Sequence, residues 1–295
     1  MVYLCFDIGG TNIKYGVLQA DGTFLIRDQF PTRRDHAAAF ISDLQHKVIE
    51  IGEEYLIRKV GISFPGFIDS TTGYAEFAGA IDVLHGKNII DLLAKKVTVP
   101  IVIENDANCA TLAEKLIGNA TNCQNFICMT IGTGIGGGIV VNDKLVTGHT
   151  CKAGEFGLMI VDGMKTGYKT MHELASTSAL IDQYKQFKGL GKDDVVEGAE
   201  VFHAARKEQP VQDILDQWFQ YVSYGIFNIA ATLNPEKILI GGAISIRDDL
   251  YTKLADALSM IPSWRDIEVE IEPCQHHNDA GMLGALYKCL EEETV

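Results

Sequence analysis

The chain has 295 residues, is 47% hydrophobic and carries a formal net charge of −14. That length supports two domains with a buried core, and that hydrophobic content excludes a disordered chain. Acidity throughout suits neither the phosphate backbone of nucleic acid nor an anionic membrane, so any bound nucleotide needs local positive potential from backbone N–H groups and a metal ion.

In chain order, Val2 to Phe6 reads as a strand, followed by the glycine turn Asp7-Ile8-Gly9-Gly10-Thr11-Asn12-Ile13-Lys14 and a second apolar run, Tyr15 to Leu18. The start has no basic flank and meets an Asp at once, so it is not a signal peptide, and no apolar run approaches membrane-spanning length. Seven cysteines, an odd and scattered set without CxxC, read as packed thiols in a reducing cytosol; the expected location is cytoplasmic.

Phe40, Ile41, Leu44, Val48, Ile51 and Tyr55 recur at helical spacing and predict a helix over Asp35 to Arg58. Lys59 to Phe64 is a strand ended by Pro65-Gly66, Ile89 to Lys96 a short helix, and Pro100 to Glu104 a buried strand. Ala107 to Gly118 is a helix opened by Asn105-Asp106. Phe126 to Val146 repeats the first pattern, with the glycine turn Ile131-Gly132-Thr133-Gly134-Ile135-Gly136-Gly137-Gly138 and an Asn142-Asp143 turn before Lys144. Met171 to about Leu233 is largely helical, with a long apolar helix from Val211 that Asn234-Pro235 stops. Then come a strand (Lys237 to Ile240) running into Gly241-Gly242, a helix (Arg247 to Met260), a strand (Ile267 to Ile271) and a last helix (Ala280 to Glu293). This alternation argues α/β, and the repeated hairpin argues two related domains with the ligand in the cleft between them.

Glycines let a backbone approach a phosphate and aim N–H groups at it, and a Thr hydroxyl adds a donor. Two such turns predict a grip on a polyphosphate. Glu104-Asn105-Asp106 sits where a strand gives way to a helix. Asn and Asp there are good helix caps; the same corner also suits Asp106 as general base, with Asn105 orienting a substrate. Glu155, in Gly154-Glu155-Phe156-Gly157, is either a solvated turn residue or a carboxylate accepting from two sugar hydroxyls. Gly241-Gly242 offers bare backbone for a flat nucleoside, or is a plain strand-to-helix turn.

Taken together, Asp7-Ile8-Gly9-Gly10-Thr11, Pro65-Gly66, Glu104-Asn105-Asp106-Ala107-Asn108, Ile131 to Gly138, Ala153 to Gly157, Ile240-Gly241-Gly242 and Asp279-Ala280-Gly281-Met282-Leu283-Gly284-Ala285 resemble the ordered motif set of the ROK sugar kinases. The resemblance implies a two-domain actin-like, ribonuclease-H-like fold with a catalytic cleft between an N-terminal domain (1–118, joined by a last helix at 280–295) and a larger C-terminal one (119–279). It implies ATP and Mg²⁺. Its first phosphate loop falls on Ile8, Gly9, Gly10 and Thr11, with Asp7 near the metal, directly or through water. Its second falls on Gly132, Thr133, Gly134 and Gly136, and its adenosine motif on Gly241 and Gly242. Its base falls on Asp106, and its sugar contacts on Gly66, Asn105, Asp106 and Glu155. The family's later sugar-binding glutamate has no clean match: anchoring on Ala175-Ser176 places His172 there, with Glu173 one residue off.

Typical members follow Gly-Glu-Phe-Gly with a His and a cysteine-rich zinc motif. Here Leu158 takes that place and no Cys lies between Cys151 and Cys274, so no structural zinc is expected, and Leu158, Met159 and Ile160 are expected to pack the loop instead. The Gly79-Ala80-Ile81 loop and the zinc-free Leu158 segment look most like the bacterial β-glucoside kinases. The expected reaction is transfer from ATP to the 6-hydroxyl of a β-glucoside such as cellobiose, with N-acetylmannosamine and glucose as the alternative acceptors. Rivals of another class are a non-catalytic sugar-sensing or binding protein, and a repressor, which needs a helix-turn-helix ahead of the first strand. Expected partners are sugar and ATP, without nucleic acid or membrane. The resemblance suggests a homodimer, while the helix from Val211 serves equally well as core.

Overall fold

The computed structural model describes residues 1–163 and 167–291. They fall into two compact units. The first comprises Met1–Asn122, Lys144–Ala153 and the described chain from Gln275; the second comprises Cys123–Asp143 and Gly154–Cys274.

The first unit opens with a meander of β1 (Val2–Ile8), β2 (Asn12–Leu18) and β3 (Phe24–Pro31). Helix α1 (Ala37–Glu54) buries Phe40, Ile41, Leu44, Val48 and Ile51, the apolar stripe at helical spacing. Strand β4 (Ile57–Phe64) follows, then a small antiparallel sheet of β5 (Phe67–Asp69), β6 (Tyr74–Phe77) and β7 (Lys87–Asn88), then α2 (Ile89–Leu93), β8 (Ile101–Asn105) and α3 (Asp106–Ile117). The main sheet runs β3-β2-β1-β4-β8, antiparallel through the meander and parallel from β1 to β8. Both faces of β1 are covered, so Val2 to Phe6 are all buried and read as a continuous apolar run. Leu4 and Phe6 join a core with the buried face of α1, while Tyr3 and Cys5 join another with Cys109, Leu283 and Cys289.

The second unit begins with the hairpin β9 (Phe126–Ile131) and β10 (Ile135–Val141), paired antiparallel. The two-residue β11 (Lys144–Leu145) belongs to the segment assigned to the first unit. Beyond it lie α4 (Met171–Ala175), α5 (Thr177–Lys188), α6 (Gly198–Ala205), α7 (Gln209–Leu233), β12 (Lys237–Gly241), α8 (Asp248–Ser259) and β13 (Glu270–Pro273). β12 pairs parallel to both β9 and β13. Helix α7 ends at Asn234, whose φ of 42° turns the chain out of the helix just before Pro235. Trp218 of α7 is fully buried, and its indole N–H donates to the Ser176 carbonyl at 2.9 Å. No helix among the described residues is long and apolar enough to cross a membrane.

Helix α9 (Ala280–Glu291) belongs to the first unit and packs on α3 and the sheet. The helix is expected to reach Glu293, but residues 292 and 293 lie outside the described residues. Gly284 lets α9 meet α3 backbone to backbone, since a Cβ there would collide with the Cys109 carbonyl. The chain leaves this unit after Asn122, revisits it at Lys144–Ala153 and returns at Gln275. Glu114 of α3, fully buried, ties both ends: one carboxylate oxygen accepts the N–H groups of Gln275 (2.7 Å) and His276 (3.2 Å), the other that of Asn119 (2.9 Å).

The strand expected at Ile267 to Ile271 starts instead at Glu270, because Pro262–Asp266 forms a tight helical turn that buries Trp264. β3 and the small β5–β7 sheet were not anticipated; their strands are short or mostly exposed and lack an apolar alternation.

Candidate functional site

The first glycine turn joins β1 to β2. It is closed by the Gly9 N–H donating to the Asn12 carbonyl (3.1 Å) and is held from outside by Thr32. The Thr32 hydroxyl donates to the Gly9 carbonyl at 2.7 Å and its N–H to the Thr11 carbonyl at 2.9 Å. Ile8 is buried, Thr11 is exposed, and Gly10 faces Ala80, where an added Cβ would stand 3.0 Å from the alanine methyl. Asp7 is set by the sheet register opposite Lys14. One of its carboxylate oxygens accepts from the Ser63 hydroxyl at 2.9 Å; the other lies 3.6 Å from the Lys14 ammonium. Gly281 of α9 backs this carboxylate closely enough that no side chain fits there. Lys14 and Ser63 escape a motif-based reading, although the hairpin register alone pairs Lys14 with Asp7.

The corner between β8 and α3 combines capping with a directed carboxylate. Asn105 Oδ1 accepts the N–H groups of Ala107 (2.9 Å) and Asn108 (3.0 Å), the N-cap geometry. Its Nδ2 donates to the Gly66 carbonyl at 2.8 Å and to Asp106 Oδ1 at 3.0 Å. The Ala107 N–H also donates to Asp106 Oδ1 at 2.8 Å, and Asp106 itself is exposed. Gly66 takes φ 98° with its Cα pressed against the 77–79 backbone, a conformation and a space that admit no side chain. Asn105 therefore does the capping and leaves Asp106 at the surface of the corner. Gly66, Asn105 and Asp106 are joined directly by hydrogen bonds.

In the second unit, the turn between β9 and β10 is closed by the Gly132 N–H donating to the Gly134 carbonyl at 2.9 Å. Thr177 of α5 anchors it by donating its N–H to the Gly132 carbonyl at 2.9 Å. Thr133 and Gly134 are exposed; Gly136 pairs with Thr130 across the hairpin. The His172 imidazole lies against both Gly134 and Gly157, and its Nδ1 accepts the Ile135 N–H at 2.9 Å. An accepting Nδ1 carries no proton, so the neutral ring holds its hydrogen on Nε2. Burial pushes the pKa of His172 down, which favours that neutral form. Glu155, half-buried, precedes the tight turn Phe156–Leu158, while Gly154 (φ 86°) packs against the Gly137 backbone.

Glu173 goes elsewhere. It closes a capping box with Thr170 at the start of α4 and pairs with Lys169 at 2.6 Å. The Lys169 ammonium and the Thr170 N–H hold its carboxyl at about 2. Of the two residues the sequence left open, only His172 reaches the second glycine turn. The apolar 158–160 segment does not pack as expected: Leu158 is 57% and Ile160 54% exposed. Backbone bonds hold this loop instead, with the N–H of Met171 on the Met159 carbonyl and that of Val161 on the Lys169 carbonyl, both at 2.9 Å.

Gly242, at φ 90°, lies so close to the Ile131 carbonyl that a Cβ cannot fit, and Gly241 lies against Thr130 and Cys274. Directly after them a cavity of about 470 Å³ is lined by Thr177, Phe202, Ala243, Ile246 and Arg247 among others. The Arg247 guanidinium stacks 3.9 Å from the centre of the Phe202 ring and is held by Asp249. That is a largely apolar recess suited to a ring system.

An α/β chain with two glycine turns, an acidic helix corner and a recess after Gly242 belongs among the nucleotide-dependent phosphotransferases. The ROK family matches residues 3–292, and this chain belongs to it. It is similar to a β-glucoside kinase of Listeria innocua (32% identical, covering 99% of both chains) and to one of Klebsiella pneumoniae (33%, covering 97% of this chain and 95% of the relative). Among solved structures it superposes on a ROK family protein of Streptococcus pneumoniae in complex with sucrose, with TM-score 0.89, 28% identity and coverage of 100% and 99%. It also superposes on a ROK family glucokinase of Streptomyces griseus in complex with glucose and AMPPNP, with TM-score 0.75, 28% identity and coverage of 97% and 98%. The fold is that of the ROK sugar kinases, and the protein is an ATP-dependent sugar kinase.

Proposed function

We propose that the chain transfers the γ-phosphoryl group of ATP to the 6-hydroxyl of a β-glucoside. The observation that carries this reading is the similarity, over nearly the whole chain, to relatives named β-glucoside kinase. In this reading Asp106 accepts the hydroxyl proton as the sugar oxygen attacks the γ-phosphorus and ADP leaves. The transition state is loose, so positioning outweighs covalent chemistry. Asn105, Gly66 and Glu155 orient the sugar. In this reading the Gly9 and Gly132 N–H groups close the two glycine turns, the turns and the hydroxyls of Thr11 and Thr133 receive the phosphates, and the recess after Gly242 takes the base.

Mg²⁺ supplies charge neutralisation on the phosphate oxygens when bound. The donor set fits it: Mg²⁺ is commonly held by one or two carboxylates plus phosphates and water, and Asp7 is the penultimate residue of β1, beside the first glycine turn. Asp7 would hold it, directly or through water, and Lys14 beside Asp7 adds a second positive charge. His172, as a neutral donor through Nε2, and the exposed Leu158 stand where typical relatives carry a glutamate and a zinc-linked histidine. In this reading the small residues of the Gly79-Ala80-Ile81 loop, which packs against Gly66, leave room for a substrate extended beyond C1.

The test is ADP release under saturating MgATP with cellobiose, gentiobiose, glucose and N-acetylmannosamine. The highest kcat/KM is expected with a disaccharide β-glucoside. Activity confined to either monosaccharide overturns the acceptor while leaving the kinase standing. Sugar-independent ADP release would remove the sugar kinase reading altogether.

A further inference from the structure

Glu104 has no role in the reading above, yet its carboxylate is buried. It sits at the end of β8 beside Asn105 and is 1% exposed. One carboxylate oxygen accepts the Asn105 backbone N–H at 2.9 Å and the Asn108 side-chain amide at 2.9 Å. The other is buried without a hydrogen-bond partner, and the Lys288 ammonium of α9 stands 3.7 Å from it. Burial works against the charge on Lys288, but Glu291 and Glu104 hold its pKa above the ordinary value. A buried ion pair of this kind contributes little to stability compared with an apolar pair of the same volume. Capping does not require it either, since Asn105 already caps α3 through its own Oδ1.

The Asn105 N–H held by Glu104 belongs to the residue whose amide reaches both Gly66 and Asp106. We propose that Glu104, paired with Lys288 across 3.7 Å, is a positioning residue. It fixes the 104–105 peptide so that the Asn105 amide, bonded to Asp106 Oδ1, holds the Asp106 carboxylate in the orientation that proton transfer needs. This rests on the assignment of Asp106 as the base. It makes α9 a functional element: the charge that steadies the corner comes from a helix far along the chain.

The experiment compares Glu104→Gln, Lys288→Met and the double variant, each also combined with Asp106→Asn. Steady-state kinetics and thermal unfolding are read on every protein. Glu104→Gln is expected to lower kcat about tenfold, with KM for ATP within about twofold of wild type. Lys288→Met is expected to lower kcat similarly and Tm more, because it leaves a buried carboxylate unpaired. The double variant should regain Tm without regaining kcat. With Asp106 already replaced, Glu104→Gln should cost nothing further, since the two residues act through one step.

Recovery of kcat together with Tm in the double variant would reduce the pair to a structural one. Losses that multiply between Glu104→Gln and Asp106→Asn would overturn the route through Asp106. An inactive Asp106→Asn beside a fully active Glu104→Gln would refute the positioning role alone. Near-normal turnover in Asp106→Asn would refute the base assignment, and this inference with it.

Discussion

Gly132→Ala separates binding from folding with opposite signs. Among the described residues, apart from its own chain neighbours, nothing lies within 4 Å of where a Cβ at Gly132 would sit, and its φ is outside the left-handed region. A methyl group therefore strains nothing in the free protein. By reducing the freedom of the unfolded chain it should stabilise by about 0.4–1 kcal/mol. At roughly 2–4 °C per kcal/mol for a chain of this size class, Tm should rise by about 1–4 °C. If the open space is where a phosphate meets the backbone, the same methyl displaces a hydrogen bond to a charged oxygen, worth about 1.5–3 kcal/mol. That corresponds to about a 10- to 150-fold rise in KM for ATP. KM for the sugar should stay within about twofold. The assay is thermal unfolding without ligands, together with initial rates over ATP at saturating sugar and the converse. A fall in Tm of several degrees would show that the turn is strained by the substitution. An unchanged KM for ATP, or equal rises for both substrates, would refute a phosphate contact at Gly132. Gly134 is a poorer probe, because a Cβ there stands 3.1 Å from the His172 ring and would disturb that residue first.

Asp106→Asn keeps the acceptor for the Ala107 N–H and should lower kcat about 10²-fold or more with ATP binding nearly intact, as measured by nucleotide titration. The folded pKa of His172 lies below its ordinary value, so stability is fully present above about pH 6.5 and is lost as pH falls through the folded pKa. His172→Asn, which can still accept the Ile135 N–H, should flatten Tm between pH 6.5 and lower values; an unchanged pH dependence would place the acid sensitivity elsewhere. Gly284→Ala should destabilise by about 1–3 kcal/mol in denaturant titration, because the added carbon meets the Cys109 carbonyl. Metal analysis after mild purification should find zinc well below one per chain, and chelators should leave the unfolding transition unmoved; one tightly held zinc per chain would contradict this.

Where structure is set by neighbouring residues, the sequence announces it. Helix α7 stops where Asn234-Pro235 requires, and α3 begins at the Asn105 cap. The glycine turns sit between strands that short apolar runs mark on either side. The corner at Gly66, Asn105 and Asp106 was legible as a motif, but its wiring was not, because the Asn105 amide finds its Gly66 carbonyl 39 residues earlier, in the turn between β4 and β5. The choice between His172 and Glu173 stayed open in the sequence because it depends on which side of α4 faces the hairpin. Thr170 could have signalled the outcome, since Thr three residues before Glu is the pattern of a capping box. The Leu158 segment was misread because an apolar run implies burial only on average, and its backbone bonds secure the loop without its side chains. Lys288 and Gly281 were out of reach, since they act on Glu104 and Asp7, both far earlier in the chain.

The Glu114 clamp also dictates an order of events in folding. Its carboxylate bonds Asn119 five residues on, but Gln275 is 161 residues away. As the chain grows on a ribosome, α3 emerges with a carboxylate that is half satisfied, and it stays so until residues beyond 274 have been made. The entropic cost of closing a loop grows only logarithmically, about 0.6 kcal/mol per doubling, yet the search for a partner that distant slows the step. The first unit is thus begun early and completed late, with everything from Cys123 to Cys274 synthesised in between.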